Sequence, residues 1–383
     1  MIIERKRIDT LVKFLDKKTL YYDKIDYDVI AKSWSILKNY IKLPFVIHII
    51  GTNGKGSTGR FLASFLNQQN KTVLHYSSPH ILKFNERIWI NGEDISDNKL
   101  NQAHSKLQEI LPITLIKKLT YFEYTTLIAL LLSSNMDYLV LEAGLGGEFD
   151  ATNVVKNDFT VIPSIGLDHQ DFLGDTIEEI ATTKMRSCDN SFILGLDISQ
   201  KVLDVKDDIL KNKNEIFIDK NIELSDKHKQ LPKYLQNNLL LSLRVLRYLD
   251  FKDFNYKLPL LFGRFQKITQ NITIDVGHNP LAAKVILQEL KQNNKKIILV
   301  YNSYKDKDYT SVLNILKPII KEVQIINCKD DRMVQKDILV EILNNLSINI
   351  KTFDIMNLSI ENDYLIFGSF IVVEEFLKGY RKI

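Results

Sequence analysis

Residues 51–58, Gly-Thr-Asn-Gly-Lys-Gly-Ser-Thr, put a lysine and two adjacent hydroxyls into a glycine-rich turn. The turn follows an apolar β-type run at 45–50. It precedes a run in which Phe61, Leu62, Phe65 and Leu66 recur at helical spacing. Strand, glycine turn and helix together cradle phosphate. Backbone N–H groups turn inward, the helix N-terminus adds positive potential, and Lys55 neutralises the outer phosphates. Ser57 or Thr58 offers a hydroxyl to Mg²⁺. The pattern departs from the common nucleotide loop, with Ile49 where a glycine is usual and Gly56 between lysine and hydroxyl. The cradle still predicts ATP binding through Thr52, Asn53, Gly54, Lys55, Gly56, Ser57 and Thr58.

Other reactive groups stand at the ends of predicted strands, where ligands of open parallel sheets collect. The strand 72–76 ends in Ser77-Ser78-Pro79-His80, and 137–142 ends in Glu142 followed by Gly-Leu-Gly-Gly. The strand 159–163 leads to Gly166-Leu-Asp-His169. Glu142 is a hard oxygen ligand suited to Mg²⁺. His169 is a less specific signal, because histidine is an uncommon Mg²⁺ ligand. Lys184, on a helix opening at Asp175-Thr176, reads by itself as a solvent-facing lysine.

Around these residues the spacing predicts a helical N-terminal stretch to about 43 and a hairpin through Asn91-Gly92. Helices are expected at 97–111 and 122–134, with strand–helix alternation on either side. The segment 190–232 is polar and weakly patterned and reads as a surface excursion. A helix at 235–248 closes the first domain. From about 270 a second alternation runs: strand 272–275, helix 280–292, strand 296–301, a helix near 309–320 and strand 322–328. Helix 337–346, strands at 348–354 and 363–368, and a final helix near 370–380 complete it. Its first turn, 276–279, lacks the spaced glycines of a dinucleotide fingerprint, so NAD binding is not expected.

The chain has 383 residues, 45% of them hydrophobic and 26% charged, enough for a sizeable core and two domains. A net charge of +4 from mixed signs gives no argument for nucleic acid or a membrane surface. Two unpaired cysteines fit a reducing compartment, and no apolar run approaches membrane-spanning length, so a cytoplasmic protein is expected.

Taken in order, the motifs resemble the Mur-type amide ligases, in particular the folylpolyglutamate synthase/dihydrofolate synthase family. They are 51–58, Tyr76-Ser-Ser-Pro-His80, Phe84-Asn-Glu-Arg87, Tyr121-Phe-Glu123, and Leu141 to Gly147 with Asp150-Ala-Thr-Asn153. Ser164 to His169, Gly263-Arg-Phe-Gln266, Asp275 to Pro280, Lys307-Asp308 and Gly368-Ser369 follow. The resemblance covers nearly the whole chain. It implies an N-terminal P-loop-type ATPase domain with a mainly parallel sheet (1–262), a linker (263–269) and a smaller C-terminal Rossmann-like α/β domain (270–383).

It further implies Lys55, His169 and Lys184 as catalytic residues and Ser57, Ser78, Glu142, His169 and Lys184 as holders of one or two Mg²⁺ ions. Lys184 would be carboxylated by CO₂. Asn238 (or Asn237), Arg264 and Asp275 would contact ATP. Ser78, Pro79, His80, Thr120, Tyr121, Phe122, Glu123, Phe149, Asp150, Ala151 and His278 would meet the other substrates. The implied reaction is ATP-dependent addition of L-glutamate to dihydropteroate or to the glutamyl tail of a reduced folate, by a monomer.

Three departures stand out. Glu148 occupies a position where many members carry arginine, Thr183 replaces a glutamate before Lys184, and the chain is short between 190 and 262. The alternatives are a Mur-type ligase acting on a nucleotide-linked cell-wall precursor, and a non-ligase nucleotide binder. The latter leaves Glu142, His169 and Lys184 unexplained.

Overall fold

In the computed structural model, residues 10–19, 26–217, 222–252, 256–291 and 296–381 are described. The first sheet contains β1 (Phe45–Ile49), β2 (Val73–Tyr76), β3 (Ile88–Ile90), β4 (Glu93–Asp94), β5 (Tyr138–Glu142), β6 (Phe159–Ile162), β7 (Ser191–Leu194) and β8 (Asn214–Glu215). Its order is β4-β3-β2-β5-β1-β6-β7-β8. From β2 to β8 the strands are parallel, while β3 and β4 form an antiparallel hairpin at the edge. β1, β2, β5 and β6 are apolar on both faces because helices cover both. On one side, the helices Tyr27–Leu37, Asp97–Ile110 and Tyr121–Leu132 bury Leu100, Leu107, Leu127 and Ile128. On the other, Lys55–Gln68 and Lys233–Tyr248 bury Phe61, Phe65, Leu239 and Leu246.

The second sheet is built from β9 (Gln266–Lys267), β10 (Ile272–Ile274), β11 (Ile297–Tyr301), β12 (Ile320–Ile325), β13 (Ile350–Thr352) and β14 (Tyr364–Phe367), in the order β13-β12-β11-β14-β10-β9. All its pairings are parallel except β9 with β10. The helices Pro280–Lys291, Tyr309–Leu316, Lys336–Asn345 and Phe370–Tyr380 follow its strands. Two doubly covered α/β units are the outcome, as the alternation of patterns anticipates.

The differences from the sequence reading are local. The stretch at 191–194 is a true sheet strand, paired with β6 along its whole length, and not part of a surface excursion. Its apolar run is only three residues, Phe192 to Leu194, flanked by Asp, Asn, Ser and Gly, which hid it. The stretch 263–269 contains β9, hydrogen-bonded into the second sheet, so that sheet starts at Gln266. The helix expected near 309–320 ends at Leu316, because Pro318 has no N–H to continue it. β12 accordingly opens at Ile320, before the expected 322. Of the N-terminal helical stretch, residues 1–9 and 20–25 lie outside the described residues, and Leu11–Leu15 and Tyr27–Leu37 are helices. Among the described residues no helix is long and apolar enough to cross a membrane.

Candidate active site

The adjacent parallel strands β2, β5, β1 and β6 deliver their carboxyl ends to one edge of the first sheet. After β1 the chain turns through Gly54, whose φ of +86° lies in the left-handed region that favours glycine, and the helix Lys55–Gln68 begins at once. A side chain at Gly54 would also come within 2.8 Å of Asn238 Oδ1. Lys55 Nζ folds over the loop and donates to the carbonyls of Gly51 at 3.0 Å and Thr52 at 3.2 Å. Ser57 Oγ donates to Gly54 O and accepts from Asn238 Nδ2 at 2.8 Å. Thr52 Oγ1 donates to Gly166 O and accepts from Gly166 N, both at 3.0 Å, tying the loop to the turn after β6.

A cavity of ≈ 280 Å³ opens above this loop. Its wall carries Lys55, Ser57, Ser78, Glu142, His169 and Lys184 from the first unit. Asn237, Asn238, Arg264, Asp275 and His278 complete it. Thr58 is buried in the helix, and Ser242 Oγ donates to its carbonyl at 3.0 Å.

Glu142, at the end of β5, is buried, and burial pushes its carboxyl pKa up. The charges of Lys55 and Arg264 and the N–H of Ser78, at 3.3 Å, pull it back. Burial holds His169 down at about 4, so its imidazole is neutral and a lone pair is available. Lys184 is not a solvent-facing lysine. It is buried in the last turn of the helix Ile177–Met185, and burial, reinforced by Lys55, lowers its pKa to about 7. Gly147 makes this packing possible, since a side chain there would approach Lys184 O to 2.6 Å. Asp275 is buried and accepts from Gly277 N at 2.7 Å, Phe265 N at 2.8 Å and Tyr234 Oη at 3.1 Å; burial raises its pKa against the charge of Arg264.

Two serine hydroxyls, a buried carboxylate, a neutral imidazole and a lysine amine near neutrality fit a hard divalent ion once the amine bears a carboxylate. Among the described residues no group of three His, Cys, Asp or Glu side chains forms a metal site, so hydroxyls and a modified lysine would have to contribute.

A second, larger cleft of ≈ 1420 Å³ runs from the N-terminal helix past the β3–β4 hairpin to residues 257–262. Gly56, Ser57, Ser78, Pro79, Glu142, Arg264 and Phe370 belong to the walls of both cavities. Pro79, His80 and Tyr121 lie on the cleft wall; Thr120, Phe122 and Glu123 do not. Thr120 and Glu123 form a reciprocal capping box for the helix Tyr121–Leu132, and Phe122 packs over Gly144. Phe149, Asp150 and Ala151 are also off both walls. Asp150 is buried and accepts from Leu145 N at 2.7 Å and from Thr152 N at 2.9 Å, which organises the glycine loop. Glu148 meets Arg186 at 3.2 Å, so its charge is balanced locally.

Sequence reasoning missed Tyr234, the Gly195 to Asp197 turn after β7, and Phe370, whose ring underlies the Arg264 guanidinium at 5.3 Å. Asn238 is committed to Ser57, while Asn237 donates to Asp197 at 2.5 Å and leaves a buried Oδ1 unpaired. A recognised β7 would have pointed to the 195–197 turn, because its end faces the same edge.

Residues 49–266 match the Mur ligase middle domain. The dihydrofolate synthase/folylpolyglutamate synthase of Haemophilus influenzae is 33% identical, over 87% of this chain and 88% of its own. The crystal structure of Helicobacter pylori folylpolyglutamate synthetase superposes with a TM-score of 0.78 at 37% identity, covering 97% of this chain and 98% of that one. A bifunctional folylpolyglutamate synthase/dihydrofolate synthase with Mn, AMPPNP and L-glutamate bound has a TM-score of 0.82 at 26% identity, covering 97% of each.

Proposed function

Because this chain belongs to the dihydrofolate synthase/folylpolyglutamate synthase family of Mur-type ligases, we propose that it joins L-glutamate to dihydropteroate and to the glutamyl tail of reduced folate. It uses ATP and a divalent cation and releases ADP and phosphate. The observation that carries this reading is the shared wall: the phosphate end of the smaller cavity and the middle of the larger cleft meet at Ser57, Ser78, Glu142 and Arg264. An acid lying in the cleft thereby reaches a triphosphate lying in the cavity.

The acceptor carboxylate attacks the γ-phosphorus, the bond to the β,γ-bridging oxygen breaks, and ADP leaves with an acyl phosphate formed. The glutamate amine then attacks the acyl carbon, loses a proton and expels phosphate, leaving an amide. Lys55 and the amides of the loop hold the γ-phosphate, and Arg264 neutralises charge where the two cavities join. Ser57, Ser78, Glu142, His169 and carboxylated Lys184 would hold Mg²⁺, which supplies Lewis-acid stabilisation of the phosphoryl oxygens. The low pKa of Lys184 supports its carboxylation, since only the neutral amine adds to CO₂.

Asn237, with its free acceptor, is the better adenine-side candidate than Asn238. Of the expected acceptor residues, Ser78, Pro79, His80 and Tyr121 are retained. Thr120, Phe122, Glu123, Phe149, Asp150 and Ala151 are assigned to the scaffold. His278, on the cavity wall, is kept as a substrate contact. The first unit binds ATP and acceptor, and the second closes on them as the glutamate-ligase unit. A monomer working in the cytoplasm completes the proposal, the latter supported by two buried free cysteines.

The test is ADP release with ATP, Mg²⁺, L-glutamate and each pteroate acceptor in turn, with products resolved by mass. ADP and phosphate should appear in step with the glutamylated product. ADP formed without glutamate, together with a phosphorylated acceptor as the stable product, would mark a kinase instead.

A further inference from the structure

Asp168 joins the turn after β6 to the second α/β unit. Its carboxylate, 9% exposed, accepts from Lys307 Nζ at 2.9 Å and from Asn279 Nδ2 at 3.0 Å, with His278 Nε2 at 3.8 Å. Lys307 is 6% exposed. The side-chain amides of Asn53 and Asn279 exchange two further bonds, both at 3.0 Å. On the first side, Asn53 N donates to Ser164 Oγ at 3.2 Å, Ser164 Oγ donates to Asn53 O at 2.9 Å, and Thr52 exchanges its pair with Gly166. The phosphate loop and the turn after β6 are thus bonded to each other, and Asp168 and Asn53 fasten them to residues more than 100 positions away. Lys307 Nζ is also 3.3 Å from both ring nitrogens of His169, so the contact extends to that side chain.

Resting on the ligase reading above, we propose that Asp168 and Lys307 are positioning residues. Their buried ion pair, with the Asn53–Asn279 amide pair, latches the second α/β unit over the phosphate loop so that Arg264, Asp275 and His278 face the nucleotide cavity. A pair of this kind is costly to break from one side, because the remaining charge stays buried with weaker partners: Asn279 and His278 for Asp168, and Asp306 Oδ2 at 3.6 Å for Lys307. Loss of both charges together is far better tolerated. The latch therefore has a signature: each single loss is severe and the two losses do not add.

The experiment compares Asp168→Asn, Lys307→Met and the double variant with the wild type by steady-state kinetics and by amide hydrogen exchange without nucleotide. We expect each single variant to lower kcat on the order of 10²-fold, the scale of an ångström-sized misplacement. Exchange should quicken at 164–169 and 276–283 while β1 and β5 keep wild-type protection, and the double variant should be no worse than either single. Additive losses, wild-type kcat in the singles, or a lowered kcat without faster exchange at the two segments would each overturn the latch. If a single variant loses protection in β1 and β5 as well, Asn53→Ala, which removes only neutral bonds, is judged by the same criteria. The exchange readout needs no turnover. A wild-type protein without glutamate-dependent ADP release would therefore reject the ligase reading while still scoring the latch.

Discussion

Lys55 and Lys184 show how one residue type takes two roles within one cavity. Lys55 spans loop carbonyls at the start of a helix, where the proposal has it meet a phosphate; Lys184 is buried in the last turn of its helix, and burial lowers its pKa to about 7. Lys55→Met should abolish ATP-dependent product while leaving the circular dichroism spectrum unchanged. Lys184→Ala should lower turnover by on the order of 10²-fold, the scale for loss of a key electrostatic group. The pH dependence follows from the direction of the shift. Because the folded pKa is depressed from 10.5 to about 7, the amine is neutral above that value and protonated below it. Bicarbonate-dependent carboxylation, followed by ¹³C NMR, should rise as pH climbs through about 7 and be missing in Lys184→Ala. Signal that falls with rising pH would contradict the assignment. The positions of Ser57, Ser78, Glu142 and His169, proposed to hold the metal, could be read because each ends a strand or follows a glycine turn. Lys184 was legible only by resemblance, since its own helix has the charge pattern of an exposed one.

The elements carry their own lesson. β1, β2, β5 and β6 could be read from apolar runs that end in polar clusters, and their adjacency in the sheet explains why four distant motifs meet. β7 was not legible because a four-residue strand between polar turns has no period to detect, and its neighbours Leu196 and Asp197 were lost with it. Thr120 and Glu123 carry the sequence signature of a capping box, and the structure uses them as one. Thr120→Ala is therefore expected to lower stability by about 1 kcal/mol in urea titration. The acceptor KM should stay at the wild-type value; a raised KM would return this segment to the substrate site. Gly147→Ala should act on Lys184 through the backbone, because the added methyl meets Lys184 O at 2.6 Å. A cost of about 1–3 kcal/mol is expected by the same titration, together with reduced turnover.

At the scale of the molecule, residues of both α/β units wall a cavity of ≈ 280 Å³ that shares a wall with a long cleft, and Arg264 belongs to both. The order of the motifs predicted two such units. The cleft itself was not legible, because its walls come from the N-terminal helix, the β3–β4 hairpin and residues 257–262, which share no local pattern. Binding of a non-hydrolysable ATP analogue with Mg²⁺ should stabilise the fold by about 2.7 kcal/mol at a hundredfold excess over Kd, raising Tm. Asp275→Ala should reduce that rise. The most direct measurement of the central claim is positional isotope transfer: an acceptor with ¹⁸O in its carboxylate is turned over with ATP, Mg²⁺ and L-glutamate, and the released phosphate is examined by mass. One ¹⁸O per phosphate is expected, because the acid attacks the γ-phosphorus across the shared wall. Phosphate without the label would contradict an acyl phosphate and, with it, the account of the site.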